Sequence, residues 1–297
     1  MFIATVVASE TLTGDHLAAC SEALRAHGLE PGTTAWVEPG RAGDVRFAGD
    51  PLRARAVLEP LVATFGGDVI VQAEAVRMKR LLVADMDSTM ITVECIDELA
   101  DYAGIKPQVA AVTEQAMRGE IPFEAALRAR VALLRGLDVG VLAQCLAERV
   151  RMMPGAAELV GTMRARGAAT LLVSGGFTAF AEPVAAVLGF EVAIANVLGV
   201  EDGRLTGTLV GPIVDAGRKA TALAGARERL GLTAADVLAV GDGANDLPMV
   251  RVAGLGVAFK AKPVLREAAG ASIVRGDLTA LLYAQGYAKA DWRVWAG

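Results

Sequence analysis

The stretch Leu81-Leu82-Val83-Ala84-Asp85-Met86-Asp87-Ser88-Thr89 constrains this chain more than any other. Its short apolar run reads as a buried strand. Two acids spaced i, i+2 and two hydroxyls follow. An unpaired carboxylate buried in a parallel-sheet core costs on the order of several kcal/mol, so the acids mark the point where the strand leaves the core. One reading is a strand end that turns polar as it meets solvent. The other is a catalytic edge, because ligands of open α/β sheets sit beyond the carboxyl ends of the strands. A carboxylate there can act as a nucleophile.

The remaining chain supplies partners for the second reading. Ala168–Val173 reads as a strand running into Ser174-Gly175-Gly176, and Val237–Val240 as one running into Gly241-Asp242-Gly243-Ala244-Asn245-Asp246. Lys219–Leu230 reads as a helix that Lys219 opens. Ala156–Arg166, Phe177–Leu188 and Leu278–Ala288 have helical spacing, and Gly254–Ala258 and Ser272–Val274 read as short strands. Val192–Val200 and Leu205–Val210 flank Asp202-Gly203, a hairpin signal. Alternating strand and helix argue a doubly wound sheet. From Val93 to Val150 the pattern is helical throughout, with Pro107 and Pro122 at helix starts. Such a length exceeds a normal crossover and predicts a helical cap, at about residues 90–152, inserted over the strand ends.

Residues 1–76 read as a separate α+β unit in the order β-α-β-β-α-β, the ferredoxin-like arrangement. Its elements are Phe2–Ala8, Asp15–His27, Thr33–Glu38, Asp44–Ala48, Leu52–Phe65 and Val69–Ala75. The order resembles an ACT-type regulatory domain. The place of that family's Gly-rich ligand loop reads Thr13-Gly14-Asp15-His16-Leu17, so a structural or dimerising role is expected ahead of amino-acid binding, and with it a homodimer through this unit. His16 is expected at the surface. Arg77-Met78-Lys79-Arg80 reads as a solvated linker into the second unit, residues 77–297.

Several function classes are excluded. The longest stretch without a charged residue is Gly167–Ala181, too short and too broken for a membrane span. The formal net charge of −5 offers no basic face to nucleic acid. The N-terminus lacks the pattern of a secretory signal. Cys20, Cys95 and Cys145 are scattered, as expected of reduced thiols in a cytoplasmic protein. Both histidines, His16 and His27, lie near the N-terminus, so carboxylates or lysine must carry any chemistry in the main body.

Three strands ending in Asp85/Asp87, Ser174 and Asp242/Asn245/Asp246, with Lys219 before the third, suit phosphate-ester cleavage. That reaction needs on the order of 20 kcal/mol of assistance, against roughly 1–3 kcal/mol from one hydrogen bond. Several devices must therefore act together. Mg²⁺ favours oxygen ligands and one or two carboxylates, which Asp85 and Asp242 can supply, with a backbone carbonyl of the Asp87 turn as a third ligand. Asp85 and Asp87 share a face of an extended strand, so both can reach one substrate, Asp85 as nucleophile and Asp87 as general acid and base. Ser174 and the Gly175 N–H would bind phosphate oxygens, Lys219 would add a cation, Asn245 would donate to phosphate, and Asp246 would orient Lys219 or a metal-bound water from behind.

In family order, Asp85-Met86-Asp87-Ser88-Thr89, Ser174-Gly175-Gly176, Lys219 and Gly241–Asp246 resemble the four motifs of the haloacid dehalogenase (HAD) superfamily, over about residues 81–276. More narrowly the chain is similar to the phosphoserine phosphatase family, which has a Glu soon after the first motif, here Glu94, and a small helical cap. The cap segment Phe123-Glu124-Ala125-Ala126-Leu127-Arg128-Ala129-Arg130 matches that family's substrate-binding segment. The resemblance implies Glu94 on the ammonium and Arg130 on the carboxylate of O-phospho-L-serine, with Met117 and Phe123 as apolar cap contacts. It implies a Mg²⁺-dependent hydrolase working through an aspartyl phosphate at the last step of L-serine synthesis. The alternatives are a phosphatase for another small phosphorylated metabolite, and a regulatory small-molecule-binding protein with an inert phosphatase unit. A P-type pump is excluded by the lack of spans, and Asp87 disfavours a dehalogenase or mutase.

Overall fold

A computed structural model describes residues 1–118 and 120–296, and the side chain of Met117 also lies outside the described residues. The small unit contains β1 (Phe2–Ala8), α1 (Gly14–Ala26), β2 (Glu30–Glu38), β3 (Ala42–Ala48), α2 (Pro51–Thr64) and β4 (Gly67–Ala73). Its sheet is antiparallel in the order β2-β3-β1-β4. Ala4, Val6 and Ala8 pack under Leu17, Cys20 and Leu24 of α1 and Leu58 and Val62 of α2. The alternate residues of the sheet are buried as well: Val7, Ala42 and Ile70 join the core of the large unit. That double burial explains why β1 is apolar throughout.

The large sheet runs β11-β10-β9-β5-β6-β7-β8. Its strands are β5 (Leu81–Ala84), β6 (Ala169–Phe177), β7 (Val192–Glu201), β8 (Arg204–Val210), β9 (Val237–Gly241), β10 (Leu255–Phe259) and β11 (Ala271–Ile273). All pairings are parallel except β7 with β8, where Asp202 and Gly203 take positive φ in the hairpin turn. Four helices stand between β5 and α7 (Ala156–Ala165): α3 (Cys95–Tyr102), α4 (Lys106–Met117), α5 (Phe123–Ala132) and α6 (Gly140–Arg149). The two chain segments that enter and leave this cap pair through an Ile91–Met152 bridge, with the Thr92 N–H on Arg151 O and the Met153 N–H on Met90 O. The remaining helices are α8 (Thr178–Leu188), α9 (Ala216–Arg229), α10 (Leu247–Val252), α11 (Pro263–Ala268) and α12 (Ala280–Ala284). Among the described residues, no helix is long and apolar enough to cross a membrane.

Four local expectations need correction. The strand expected to stop at Val173 continues to Phe177, because a bulge interrupts its pairing with β7 at Ser174–Gly176 and the register resumes at Phe177–Asn196. Lys219 does not open its helix: Asp215 caps α9 through the Arg218 N–H, and Lys219 lies one turn inside. The final helix is α12 alone, ended by Gln285 and by Gly286 at positive φ. The Arg77–Arg80 run is solvated only at Met78 and Arg80, while Arg77 and Lys79 turn inward. The Arg77 guanidinium forks onto the Asp44 carboxylate at 2.8 and 3.2 Å and also donates to the carbonyls of Tyr283 and Ala284. Lys79 is buried, its ammonium on Val76 O and Ala235 O. Burial, only partly opposed by Asp236, lowers its pKa to about 8.

The small unit is thus bolted to the large one by buried polar contacts. Gln72 donates to Ala284 O at 2.8 Å, and the Asp68 carboxylate takes the N–H groups of Val274, Arg275 and Gly276. Buried backbone groups need such partners where the ladders end.

Candidate active site

Neighbouring strands explain why the three polar strand ends meet. β6 and β9 flank β5, so the segments after Ala84, at Ser174 and after Gly241 emerge side by side. The Asp85 N–H still pairs with Val240 O, one residue beyond the strand. Past that point the chain turns sharply. Met86 O accepts the N–H groups of Thr89, Met90 and Ile91, and Ser88 sits at φ 55°.

The Asp85 carboxylate is buried and fixed at both oxygens: Oδ1 takes the Met86 N–H at 2.7 Å, and Oδ2 meets Lys219 Nζ at 2.7 Å. Lys219 is fully buried and also reaches Asp246 Oδ1 at 2.7 Å. Asp246 Oδ2 accepts the N–H groups of Asp242 and Gly243, both at 3.1 Å. With donors on both oxygens, Asp246 holds the lysine and the Gly241–Asp246 loop in place. Asp242 takes the hydroxyl of the buried Thr89 at 3.3 Å, and its own backbone carbonyl takes the Lys262 N–H.

Electrostatics match this crowding. Burial first, then Asp246, pushes the Asp85 pKa well above the carboxylate range, against the pull of Lys219. Burial and then Asp246 raise Asp242 to about 6. Burial alone would lower Lys219, but Asp85 and Asp246 outweigh it and the ammonium is held charged. Asp87 is raised to about 7, chiefly by burial and then by Glu94, with hydrogen bonds from Cys95 opposing. Its Oδ1 is buried and has no partner among the described residues. Asp85 and Asp87 are two residues apart, yet one is saturated with donors and the other keeps an acceptor unused. Burial raises both carboxyls, and what distinguishes them is their partners, a buried lysine on Asp85 and an unused acceptor on Asp87.

Asp85, Asp242 and Asp246 can each offer an oxygen within 4.8 Å of the others. Three carboxylates face one lysine, and the donors are all hard oxygens, a set that fits a small divalent cation. The Asp87 carboxylate lies outside this group, so its turn would contribute a backbone carbonyl.

Ser174 is buried and its Oγ accepts the Gly176 N–H at 2.9 Å. A β-carbon on Gly176 would stand 3.1 Å from both Asp87 Oδ2 and Ser174 Oγ, so a larger residue there would push these two groups back by a few tenths of an ångström. Phe123 of α5 reaches down to the Ser174–Gly176 segment, 3.7 Å from where a Gly175 β-carbon would be.

A cavity of about 810 Å³ joins these groups to the cap, lined among others by Asp85, Asp87, Ser174, Asn245, Glu94 and Arg130. Glu94 is exposed and stands at the N-terminal boundary of α3 rather than mid-helix, and Ser88 Oγ donates to its carboxylate at 2.7 Å. Arg130 is half-buried on α5 and makes no salt bridge among the described residues; its one hydrogen bond runs to Ala126 O of its own helix. Burial pulls its pKa down, and Asp97 and Glu94 pull it back up. Met117 falls outside the described side chains, so its expected cap contact goes undescribed.

Four residues to which the sequence assigned no role contact residues of the site: Thr89, Cys95, Lys262 and Asn196. Thr89 stood in the first motif and its hydroxyl was the signal. Cys95 adjoins Glu94 at the start of α3. No pattern marks Lys262 or Asn196, because their contacts are made by folding alone.

Residues 82–251 match the family model described as haloacid dehalogenase-like hydrolase. The chain is 50% identical over 208 residues to a phosphoserine phosphatase of Albidiferax ferrireducens, covering 68% of this chain and 88% of that one. It spans 59% of the length of a phosphoserine phosphatase of Streptomyces coelicolor, at 45% identity over 82% of this chain. Among solved structures it is similar to a probable phosphoserine phosphatase of Vibrio cholerae (TM-score 0.77, 31% identity, covering 97% of this chain and 88% of that one). It is also similar to a phospho-aspartyl intermediate analogue of phosphoserine phosphatase (TM-score 0.65, 38% identity, covering 71% and 100%).

Proposed function

Since the chain belongs to the haloacid dehalogenase-like hydrolase family, we propose that it hydrolyses O-phospho-L-serine to L-serine and phosphate, the last step of L-serine synthesis. One observation carries the choice of substrate. Glu94 and Arg130 line the same cavity as Asp85, Asp87 and Ser174, offering an anion for an ammonium and a fork for a carboxylate beyond the phosphate end. The Arg130 guanidinium has no acidic partner within salt-bridge distance among the described residues, so it is available to a substrate carboxylate.

The chemistry follows from the two carboxylates. Asp85 attacks phosphorus, and the bond to the serine oxygen breaks. Asp87, holding a proton near neutral pH, gives it to the departing alkoxide. A water then attacks the aspartyl phosphate while Asp87 takes its proton, and Asp85 and inorganic phosphate are released. Lys219, held charged between Asp85 and Asp246, stabilises the phosphoryl oxygens. Ser174 Oγ and the Gly175 N–H orient them, with Asn245 as a further donor. Asp85, Asp242 and the Asp87 carbonyl would hold Mg²⁺, which when bound offsets the repulsion between carboxylate and phosphate and polarises the phosphoryl group. A homodimer through the small unit would have to use the exposed edge strand β2 or the helical face, because the large unit covers the opposite face of the sheet. The three cysteines are free and buried, which suits a reducing cytoplasm.

The test is the substrate range of the full chain. kcat/KM for O-phospho-L-serine should exceed that for O-phospho-L-threonine and p-nitrophenyl phosphate. Equal rates on all three would keep the phosphatase chemistry and discard the roles given to Glu94 and Arg130.

A further inference from the structure

We propose that Asn196 is a positioning residue, whose single buried amide sets the phosphate-binding segment at Ser174–Gly176 against the segment that carries Lys219. The inference rests on the phosphatase reading and adds a residue that belongs to none of the motifs.

β6 carries a bulge at Ser174–Gly176. Its pairing with β7 lapses after Val173 and resumes at Phe177–Asn196. Across the lapse Ser174 and Gly175 line the cavity, and the Gly175 carbonyl is left out of the ladder with β7. Asn196 supplies the missing partner: its Nδ2 donates to Gly175 O at 2.8 Å. Its Oδ1 accepts the Val214 N–H, also at 2.8 Å. The two contacts fix which end of the amide is oxygen, since Val214 offers only a donor and Gly175 only an acceptor.

Asn196 is 2% exposed, so water does not replace either bond. Val214 directly precedes Asp215, the cap of α9, and Lys219 lies in the first turns of that helix. One side chain therefore spans the two segments that must close on the same phosphate from different sides. They lie close together: Val214 O stands 3.7 Å from where a Gly175 β-carbon would be. A residue with one donor and one acceptor at this reach is needed. Aspartate keeps the acceptor and loses the donor, and alanine loses both.

A misplacement of the order of 1 Å at a reacting group costs about 100-fold in rate. In the full-length protein, Asn196→Ala should lower kcat/KM for O-phospho-L-serine by about that factor and raise the inhibition constant of inorganic phosphate. The inhibition constant of L-serine, which depends on Glu94 and Arg130, should stay at the wild-type value. Asn196→Asp, which sets a carboxylate oxygen against the Gly175 carbonyl, should lower kcat/KM at least as far as Asn196→Ala. A purely structural role would lower the melting temperature and leave both inhibition constants unchanged in the folded fraction, and that result overturns the proposal. If neither variant folds, amide hydrogen exchange on the wild type decides. Inorganic phosphate must slow the Val214 N–H together with Ser174–Gly176, and an unmoved Val214 rejects the link. Absence of phosphate release by the wild type from any ester would instead refute the phosphatase reading itself.

Discussion

Gly176→Ala isolates the spacing of Asp87 and Ser174. The new β-carbon would stand 3.1 Å from Asp87 Oδ2, 3.1 Å from Ser174 Oγ and 3.2 Å from Met86 Cε. Each is tighter than ordinary contact, so these atoms must retreat by a few tenths of an ångström. Gly176 does not occupy a positive φ, so the backbone itself accepts alanine. Overpacking costs roughly 1–3 kcal/mol, and reduced freedom of the unfolded chain returns roughly 0.4–1 kcal/mol. The net loss of stability is therefore on the order of 1 kcal/mol, or about 2–4 °C in melting temperature. Activity should suffer more. Scaling from about 100-fold per ångström, displacement of both the proton donor and the phosphate ligand predicts a loss of about tenfold in kcat/KM. Phosphate release from O-phospho-L-serine, measured beside thermal melting, makes the comparison. A kcat/KM within twofold of wild type would refute the claim that Asp87 and Ser174 are held at a working distance by the missing side chain.

Other perturbations reach other parts of the account. Arg130→Lys replaces a fork by a point charge. It should raise KM for O-phospho-L-serine by about 10- to 100-fold, corresponding to roughly 1.5–3 kcal/mol for a charged hydrogen bond, with a much smaller effect on p-nitrophenyl phosphate. Without divalent cation, the folded chain holds protons on Asp242 up to about pH 6 and on Asp87 up to about pH 7, whereas the unfolded chain releases them near 3.8. The folded state thus binds more protons across that window, and stability should fall as pH rises from about 4 to 7. Since protons and cation compete for the Asp85 and Asp242 carboxylates, Mg²⁺ should raise the melting temperature more at pH 8 than at pH 5; an equal effect at both would count against the assigned ligands. Arg77→Met strands the buried Asp44 and should destabilise the protein by about 3–5 kcal/mol, while activity at low temperature persists.

The parts of the site that sit on strand ends were legible in the sequence, because a polar residue after an apolar run is a local signal. Asp85, Ser174 and Asp242 are of this kind, and strand adjacency brings them together. The doubly wound sheet and the helical insertion were legible for the same reason, as periodicity and length. What depended on long-range packing was not. Arg77 and Lys79 look like solvent charges in a short basic run, yet partners more than 150 residues away in the chain, Ala235 and Ala284, draw them inward. The bulge at Ser174–Gly176 gave no sign, since its repair is a side chain on the next strand. Glu94 has the spacing of a helix residue, but the turn around Ser88 places it at the cap.

The most direct test of the central claim is phosphate release from O-phospho-L-serine by the wild type and by Asp85→Asn, each with and without Mg²⁺. The account predicts cation-dependent release by the wild type and none from Asp85→Asn under either condition. Release by Asp85→Asn at a rate close to wild type would show that the phosphoryl group does not pass through this carboxylate, and the mechanism proposed for the site would be wrong.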